Sequence, residues 1–155
     1  MTFATLKPNP LNYGGTNGRA LRCGLSGLAC PLAGVSAVHP MQALHNYSIT
    51  VLVSRITRVV IARGCDPCFG FLHDGRKPGR SSLCWDFAEL WRPRLARAVF
   101  EFSAARKFSK DNFAVFEKGV VRLSAPLARE VATLAIKTVS LREMVKGVDE
   151  IVKLF

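Results

Sequence analysis

An apolar stripe between two helix-boundary residues constrains the fold of this chain more than any other feature. Pro40 suits the first position of a helix, and Gly64 is typical of the residue that ends one. Apolar side chains recur at helical spacing between them, namely Leu44, Tyr47, Val51, Leu52, Ile56, Val59 and Val60. The pattern predicts one helix of roughly six turns. This helix is the first element of what we expect to be a mainly α-helical fold.

Two further helices are predicted around a break in the middle of the chain. Ser81 or Ser82 is suited to cap the first of them. The pattern then meets a break or kink at Pro93 and resumes through Leu95 and Val99. The aromatic and aliphatic side chains near this break are interpreted as helix packing; they are Trp85, Phe87, Leu90 and Trp91.

The last third of the chain predicts a small hairpin and two more helices. Residues 113–116 and 120–123 are short apolar runs that read as strands, with Gly119 in the turn between them. Ser124 and Pro126 then open a helix. The final helix has Ser140 and Glu143 in a capping-box pattern and is predicted to run to Phe155.

The first part of the chain has a different character. Residues 1–37 are rich in Gly, Pro and Asn, so we expect an irregular or disordered leader before a helical domain over 38–155. Residues 23–54 carry no Lys, Arg, Asp or Glu, but their prolines and polar side chains argue against a membrane span. No secretory signal is recognisable, and five cysteines do not resemble a disulfide scaffold. We therefore expect a cytoplasmic protein without a membrane partner.

The charge of the chain indicates a polyanionic partner. It has 22 Lys and Arg against 11 Asp and Glu, which gives a net charge of +11. Nucleic acid is the commonest partner of a protein with this balance. The acids are also unevenly placed, because none occurs among residues 1–65.

One histidine and two acids are candidates for a divalent-metal site. His73 follows a short apolar segment, and Asp86 and Glu89 are three residues apart on a predicted helix, so that both side chains can point toward one volume. Hard divalent cations that act on phosphodiesters prefer carboxylate oxygens, often with an imidazole. The nearby cations Arg76, Lys77, Arg80 and Arg92 are candidates for holding a DNA backbone.

The ordered residues around this site resemble one known family. The chain reads Gly-x-Asp-Pro-x-x-Gly-Phe-Leu-His over 64–73, followed by Leu-x-x-Asp-x-x-Glu-x-x-Arg-Pro over 83–93. Upstream, His-Pro-Met-Gln-Ala-Leu-His-Asn-Tyr over 39–47 is similar to a His-Pro-x-Asn-Ala-x-Leu-Asn-Tyr segment. Together these resemble the CRISPR-associated adaptation integrase, the Cas-one endonuclease family, over about 37–123.

The resemblance implies a fold, an activity and partners. It implies an α-helical catalytic lobe that binds Mn or Mg and cleaves and transesterifies DNA for spacer acquisition in antiviral defence. His73 and Glu89 are implied to be metal ligands and Asp86 an acid of the same catalytic set. Arg92 is implied to orient the acids or to contact phosphate. Intact members of the family form homodimers and act with the small Cas-two protein.

Departures from the family pattern predict impaired activity. Gln42, His45, Ile49 and Cys65 each replace the family's usual residue. The family's first metal ligand is an upstream Glu, yet no Glu precedes Glu89 here, and residues 1–36 are too short for the family's N-terminal β domain. Losing one of three ligands weakens the hold on a hard cation, so we expect weak or absent integrase activity in isolation.

Two alternatives stay open at this point. Cys65, Cys68, His73 and Cys84 form a soft ligand set that is able to hold zinc in a small nucleic-acid-binding module. Alternatively, the chain is a non-catalytic DNA-binding remnant, in which the folded core persists without a working metal site.

Overall fold

One central helix organises the fold. The structure is a computed structural model that describes residues 37–72, 81–116 and 119–153. Helix α1 spans Pro40–Ala62, and its start is capped by His39, whose Nδ1 accepts a hydrogen bond from the Met41 amide at 3.2 Å. The helix ends because Gly64 takes a φ of 73°, a conformation that favours glycine. The predicted first helix is therefore confirmed with both of its boundary residues.

The remaining elements follow α1 in the predicted order. The helices are α2 (Ser82–Ala88), α3 (Arg92–Ala104), α4 (Ala125–Thr138) and α5 (Leu141–Val152). A short 3₁₀ turn at Lys110–Asn112 leads into strand β1 (Phe113–Val115), which pairs antiparallel with β2 (Val121–Leu123). Phe113 lies opposite Leu123, and Gly119 has a φ of 73° in the turn. The mainly α fold with one small hairpin is confirmed.

The core lies where the other elements pack around α1. Helices α2, α3, α4 and α5 and strand β2 all contact it. Each helix contributes side chains with at most 1% exposure, among them Leu44, Leu52, Ile56, Val60, Phe87, Leu95, Val99, Leu127, Val131, Met144 and Val148. No described helix is long and apolar enough to cross a membrane.

Polar contacts fix the ends of the last two helices against this core. The Arg55 guanidinium on α1 donates to the Val139 carbonyl at 2.7 Å, which satisfies one of the free carbonyls at the end of α4. Ser140 caps α5, and the Glu143 carboxylate accepts a hydrogen bond from the Ser140 amide at 2.9 Å. The capping box predicted from the sequence is confirmed.

Three details differ from the sequence-based expectations. The break between α2 and α3 falls over residues 89–91, before Pro93, because proline fits the first turn of α3, where its missing N–H is not needed. Helix α5 ends at Val152 and does not run to Phe155. Leu90, expected in the packing, is 52% exposed because it lies in this break. The predicted leader over 1–37 lies outside the described residues except for Ala37.

Trp91 and Gly147 make a close contact between the break and α5. Trp91 is only 9% exposed. A Cβ placed on Gly147 would lie 2.8 Å from Cζ2 of the Trp91 ring, closer than carbon atoms approach without displacement. The glycine is therefore needed for α5 to cover the segment that joins α2 to α3.

Candidate active site

The segment that leads toward His73 is fastened to the first turn of α2. The Asp66 carboxylate accepts a hydrogen bond from the Cys68 amide at 2.9 Å, which forms the turn after α1. The Pro67 carbonyl then accepts a hydrogen bond from the Leu83 amide at 3.0 Å. This backbone contact sets the position of residues 67–72 relative to the helix that carries Asp86.

Asp86 faces the backbone of that segment. Its carboxylate is 3% exposed, and its Oδ2 accepts hydrogen bonds from the amides of Phe71 at 2.6 Å and Leu72 at 2.9 Å. Two backbone donors compensate a buried negative charge well, because charge-assisted hydrogen bonds are about twice as strong as neutral ones. The geometry makes Asp86 a group that positions the residues directly before His73.

Glu89 and Arg92 form an ion pair at the surface of the break. Glu89 follows the last residue of α2, and Arg92 is the first residue of α3. Their Oε1 and Nη2 atoms lie 2.6 Å apart, and the side chains are 38% and 36% exposed. The Arg92 Nε is buried and has no hydrogen-bond partner among the described residues. Glu89 is thus an accessible carboxylate held by a guanidinium that is only partly satisfied.

His45 is a neighbour of this pair that sequence reasoning did not select. It lies half-buried on α1. Burial, and then the positive charge of Arg92, lower the pKa of His45 below its ordinary value of 6.5. The imidazole is therefore neutral at pH 7 beside Arg92. The available signal was a titratable side chain at a position where the resembling family has an apolar one.

Of the seven proposed site residues, the structure describes three: Asp86, Glu89 and Arg92. The others are His73, Arg76, Lys77 and Arg80, and all of them fall within 73–80, outside the described residues. The structure does not place them, and their roles stay predictions.

Among the described side chains, one carboxylate is well suited to a divalent cation. Within 37–72, 81–116 and 119–153, no group of three or more His, Cys, Asp and Glu side chains is able to hold a metal. Glu89 fits a hard cation by its chemistry and exposure, whereas one Asp86 oxygen is already used by two amides. Glu89 is therefore the described residue best suited to be a ligand, and His73 stays a predicted second one.

The cysteines of the zinc alternative differ in their surroundings. Cys65 and Cys68 are half-buried, while Cys84 lies fully in the core. Burial raises the pKa of the Cys84 thiol, although a hydrogen bond with Thr57 acts in the opposite direction. A buried protonated thiol behaves as a small apolar side chain. The geometry of Cys84 thus gives the zinc module no support.

A family model and two curated proteins to which this chain is similar all carry the name Cas1. The family model described as CRISPR associated protein Cas1 matches residues 36–135. The CRISPR-associated endonuclease Cas1 2 of Pyrobaculum aerophilum is 35% identical over 91 residues, which are 59% of this chain and 30% of that protein. The CRISPR-associated endonuclease Cas1 of Leptospira interrogans is 38% identical over 72 residues, which are 46% of this chain and 28% of that protein. The chain therefore spans less than a third of either relative.

A solved structure shares the fold. A casposase bound to integration product superposes with a TM-score of 0.69 at 22% identity, covering 76% of this chain and 38% of that one. At this identity the likeness concerns the arrangement of helices.

Proposed function

The chain belongs to the CRISPR-associated Cas1 family, and we propose that it is a metal-dependent DNA endonuclease and integrase homologue. The proposed reaction is cleavage and transesterification of DNA phosphodiesters during spacer acquisition. The named relatives are endonucleases, and the net charge of +11 suits a DNA partner. The free thiols of Cys65, Cys68 and Cys84 suit the reducing cytoplasm that we propose as its location.

One observation carries the proposal: the double hydrogen bond from the Phe71 and Leu72 amides to Asp86. It fixes the backbone immediately before His73 to helix α2, which ends at Ala88, directly before Glu89. A histidine and a carboxylate from two separate segments need such a restraint before they can hold one cation. We infer that Asp86 performs this positioning.

In the proposed site, His73 and Glu89 would hold Mn or Mg. When bound, the ion would polarise the phosphodiester and stabilise the charge that develops on its oxygens. Asp86 orients the backbone next to His73, and Arg92 contacts phosphate. Arg76, Lys77 and Arg80 neutralise the flanking DNA backbone.

We further propose that activity is weak in isolation. No Glu precedes Glu89 in the sequence, so the family's upstream carboxylate ligand has no counterpart within these residues. Activity should rise in an assembly that supplies that carboxylate and the dimer contacts, and the small Cas-two protein is a candidate member of this assembly. Without a third ligand, a hard cation keeps too few anionic oxygens for tight binding.

Isothermal titration with Mn and disintegration assays on branched DNA test the proposal. His73→Ala and Glu89→Ala should each lower Mn affinity by about tenfold or more. Glu101→Ala, which removes an exposed carboxylate on α3, is the matched control and should change nothing. Equal Mn affinity in all three variants would refute the metal site, and robust turnover that His73→Ala abolishes would refute the predicted impairment. Neutralising Arg76, Lys77 and Arg80 together should reduce the slope of log affinity against log salt.

A further inference from the structure

Arg92 occupies one oxygen of the carboxylate that a metal ion would need. Its Nη2 lies 2.6 Å from the Glu89 Oε1, so a cation can reach this oxygen only in competition with the guanidinium. The two residues are three positions apart at the start of α3, and both side chains are long, rotatable and partly exposed, so rotation about their own bonds is able to separate the two groups. The ion pair between Arg92 and Glu89 is therefore able to open and close reversibly.

The Arg92 guanidinium also has a hydrogen-bond donor without a partner among the described residues. Its Nε is buried without a hydrogen-bond partner in the described part of the chain, although a guanidinium has five donors to satisfy. A phosphate offers acceptors to Nε and Nη together, in the two-pronged geometry that guanidinium groups prefer. Rotation of Arg92 from Glu89 to a phosphate would thus pair a donor that is now unpaired.

We propose that Arg92 is a latch that couples metal binding to DNA binding. Before a divalent cation binds, Arg92 holds Glu89. When the cation takes the Glu89 carboxylate, like-charge repulsion expels the guanidinium, which then binds a DNA phosphate. The proposal deepens the proposed function and rests on it for the role of Glu89 as a ligand.

Two measurable consequences follow from the latch. The cation binds more weakly than it would without Arg92, because it has to displace the ion pair. Metal and DNA also raise each other's affinity, since each favours the state in which Glu89 and Arg92 are apart, and such coupling is reciprocal. A purely structural ion pair would not produce the second effect.

The first measurement is Mn²⁺ affinity of the 155-residue chain, read from the electron paramagnetic resonance signal of free Mn²⁺. Arg92→Gln keeps the aliphatic stem and removes the charge, and we expect it to bind Mn²⁺ roughly 3- to 10-fold more tightly. Arg97→Gln is the matched control, because Arg97 pairs with Glu101 on the same helix and should have no effect. Unchanged or weaker Mn²⁺ binding by Arg92→Gln overturns the latch.

The second measurement is the affinity for a branched DNA with and without Mn²⁺. Saturating Mn²⁺ should raise the affinity of the wild type and of Arg97→Gln, and should raise that of Arg92→Gln much less. Equal enhancement in all three overturns the coupling. If Arg92→Gln does not fold, as judged by circular dichroism, Arg92→Lys keeps the charge but loses the forked donor, and should give a coupling well below that of the wild type.

Glu89→Gln distinguishes failure of the latch from failure of the metal site. Weaker Mn²⁺ binding by Glu89→Gln, with no tightening by Arg92→Gln, leaves the metal site standing and removes the latch. No effect of Glu89→Gln on Mn²⁺ binding removes both.

Discussion

Replacing Asp86 in two ways distinguishes a positioning carboxylate from a metal ligand. Asp86→Ala removes the acceptor of the Phe71 and Leu72 amides, at 2.6 and 2.9 Å. Asp86→Asn removes the charge but keeps an oxygen at the same place. A ligand requires the charge above all, whereas a positioning group requires mainly the acceptor.

The size of the effect follows from the two hydrogen bonds. A hydrogen bond to a charged acceptor contributes about 1.5–3 kcal/mol and a neutral one about 0.5–1.5 kcal/mol. Phe71 and Leu72 are largely exposed, so water replaces part of what is lost. We expect Asp86→Ala to destabilise the segment locally by about 2–3 kcal/mol. Asp86→Asn should cost about half of that.

Hydrogen exchange and Mn titration together provide the assay. In Asp86→Ala, the Phe71 and Leu72 amides should exchange roughly 30- to 150-fold faster, which is the same free energy expressed as a rate ratio. Mn affinity should fall by about 10- to 100-fold in Asp86→Ala, and by much less in Asp86→Asn. Asp66→Ala is the control, because Asp66 accepts the Cys68 amide in the same segment but is exposed.

One outcome would show instead that the Asp86 carboxylate binds the ion directly. If Asp86→Asn loses as much Mn affinity as Asp86→Ala while both amides stay protected, the charge itself is required at the ion. Asp86 would then be a ligand, as the family resemblance allows.

Two further predictions concern stability. Gly147→Ala should lose about 1–3 kcal/mol through its clash with Trp91, partly offset by about 1 kcal/mol of helix propensity, and urea unfolding should show a smaller loss in a Trp91→Phe background. Hydrogen bonds from Arg94 and from the Ser140 backbone and hydroxyl lower the pKa of Glu143 from an ordinary 4.5 to about 2. The stability that depends on this carboxylate is therefore present above pH 4.5 and is lost as the pH falls toward 2. Across this window the melting temperature should fall less for Glu143→Gln than for the wild type. An equal fall of the melting temperature in both proteins would contradict the assignment.

Local signals predicted the fold because each element carries its own boundary chemistry. Pro40 and Gly64 set the ends of α1, and Ser140 with Glu143 set the start of α5, through contacts within a few residues. The predicted end of α5 was wrong, because apolar spacing in the sequence continues past Val152 and does not mark where the helix stops. Periodicity alone does not encode a terminus.

The sequence predicted candidate site residues, but not the contacts that Asp86 makes. Asp86 and Glu89 were expected on one helical face, and the backbone stays helical between them, because Glu89 keeps helical φ and ψ and its amide donates to the Trp85 carbonyl at 3.3 Å. The two carboxylates nevertheless have different partners, since Glu89 pairs with Arg92. Asp86 meets the amides of Phe71 and Leu72 through a tertiary contact that no spacing rule encodes. The shared metal site stays a prediction.

The contact between Gly147 and Trp91 also bears on where this protein can be cut. A boundary taken from the family match would fall at residue 135, inside α4, and would discard all of α5. That excision removes Met144 and Val148, both fully buried, and uncovers Trp91 beside the Glu89 and Arg92 pair. A fragment that contains only residues 36–135 should expose apolar surface and aggregate, although every proposed catalytic side chain is still present in it.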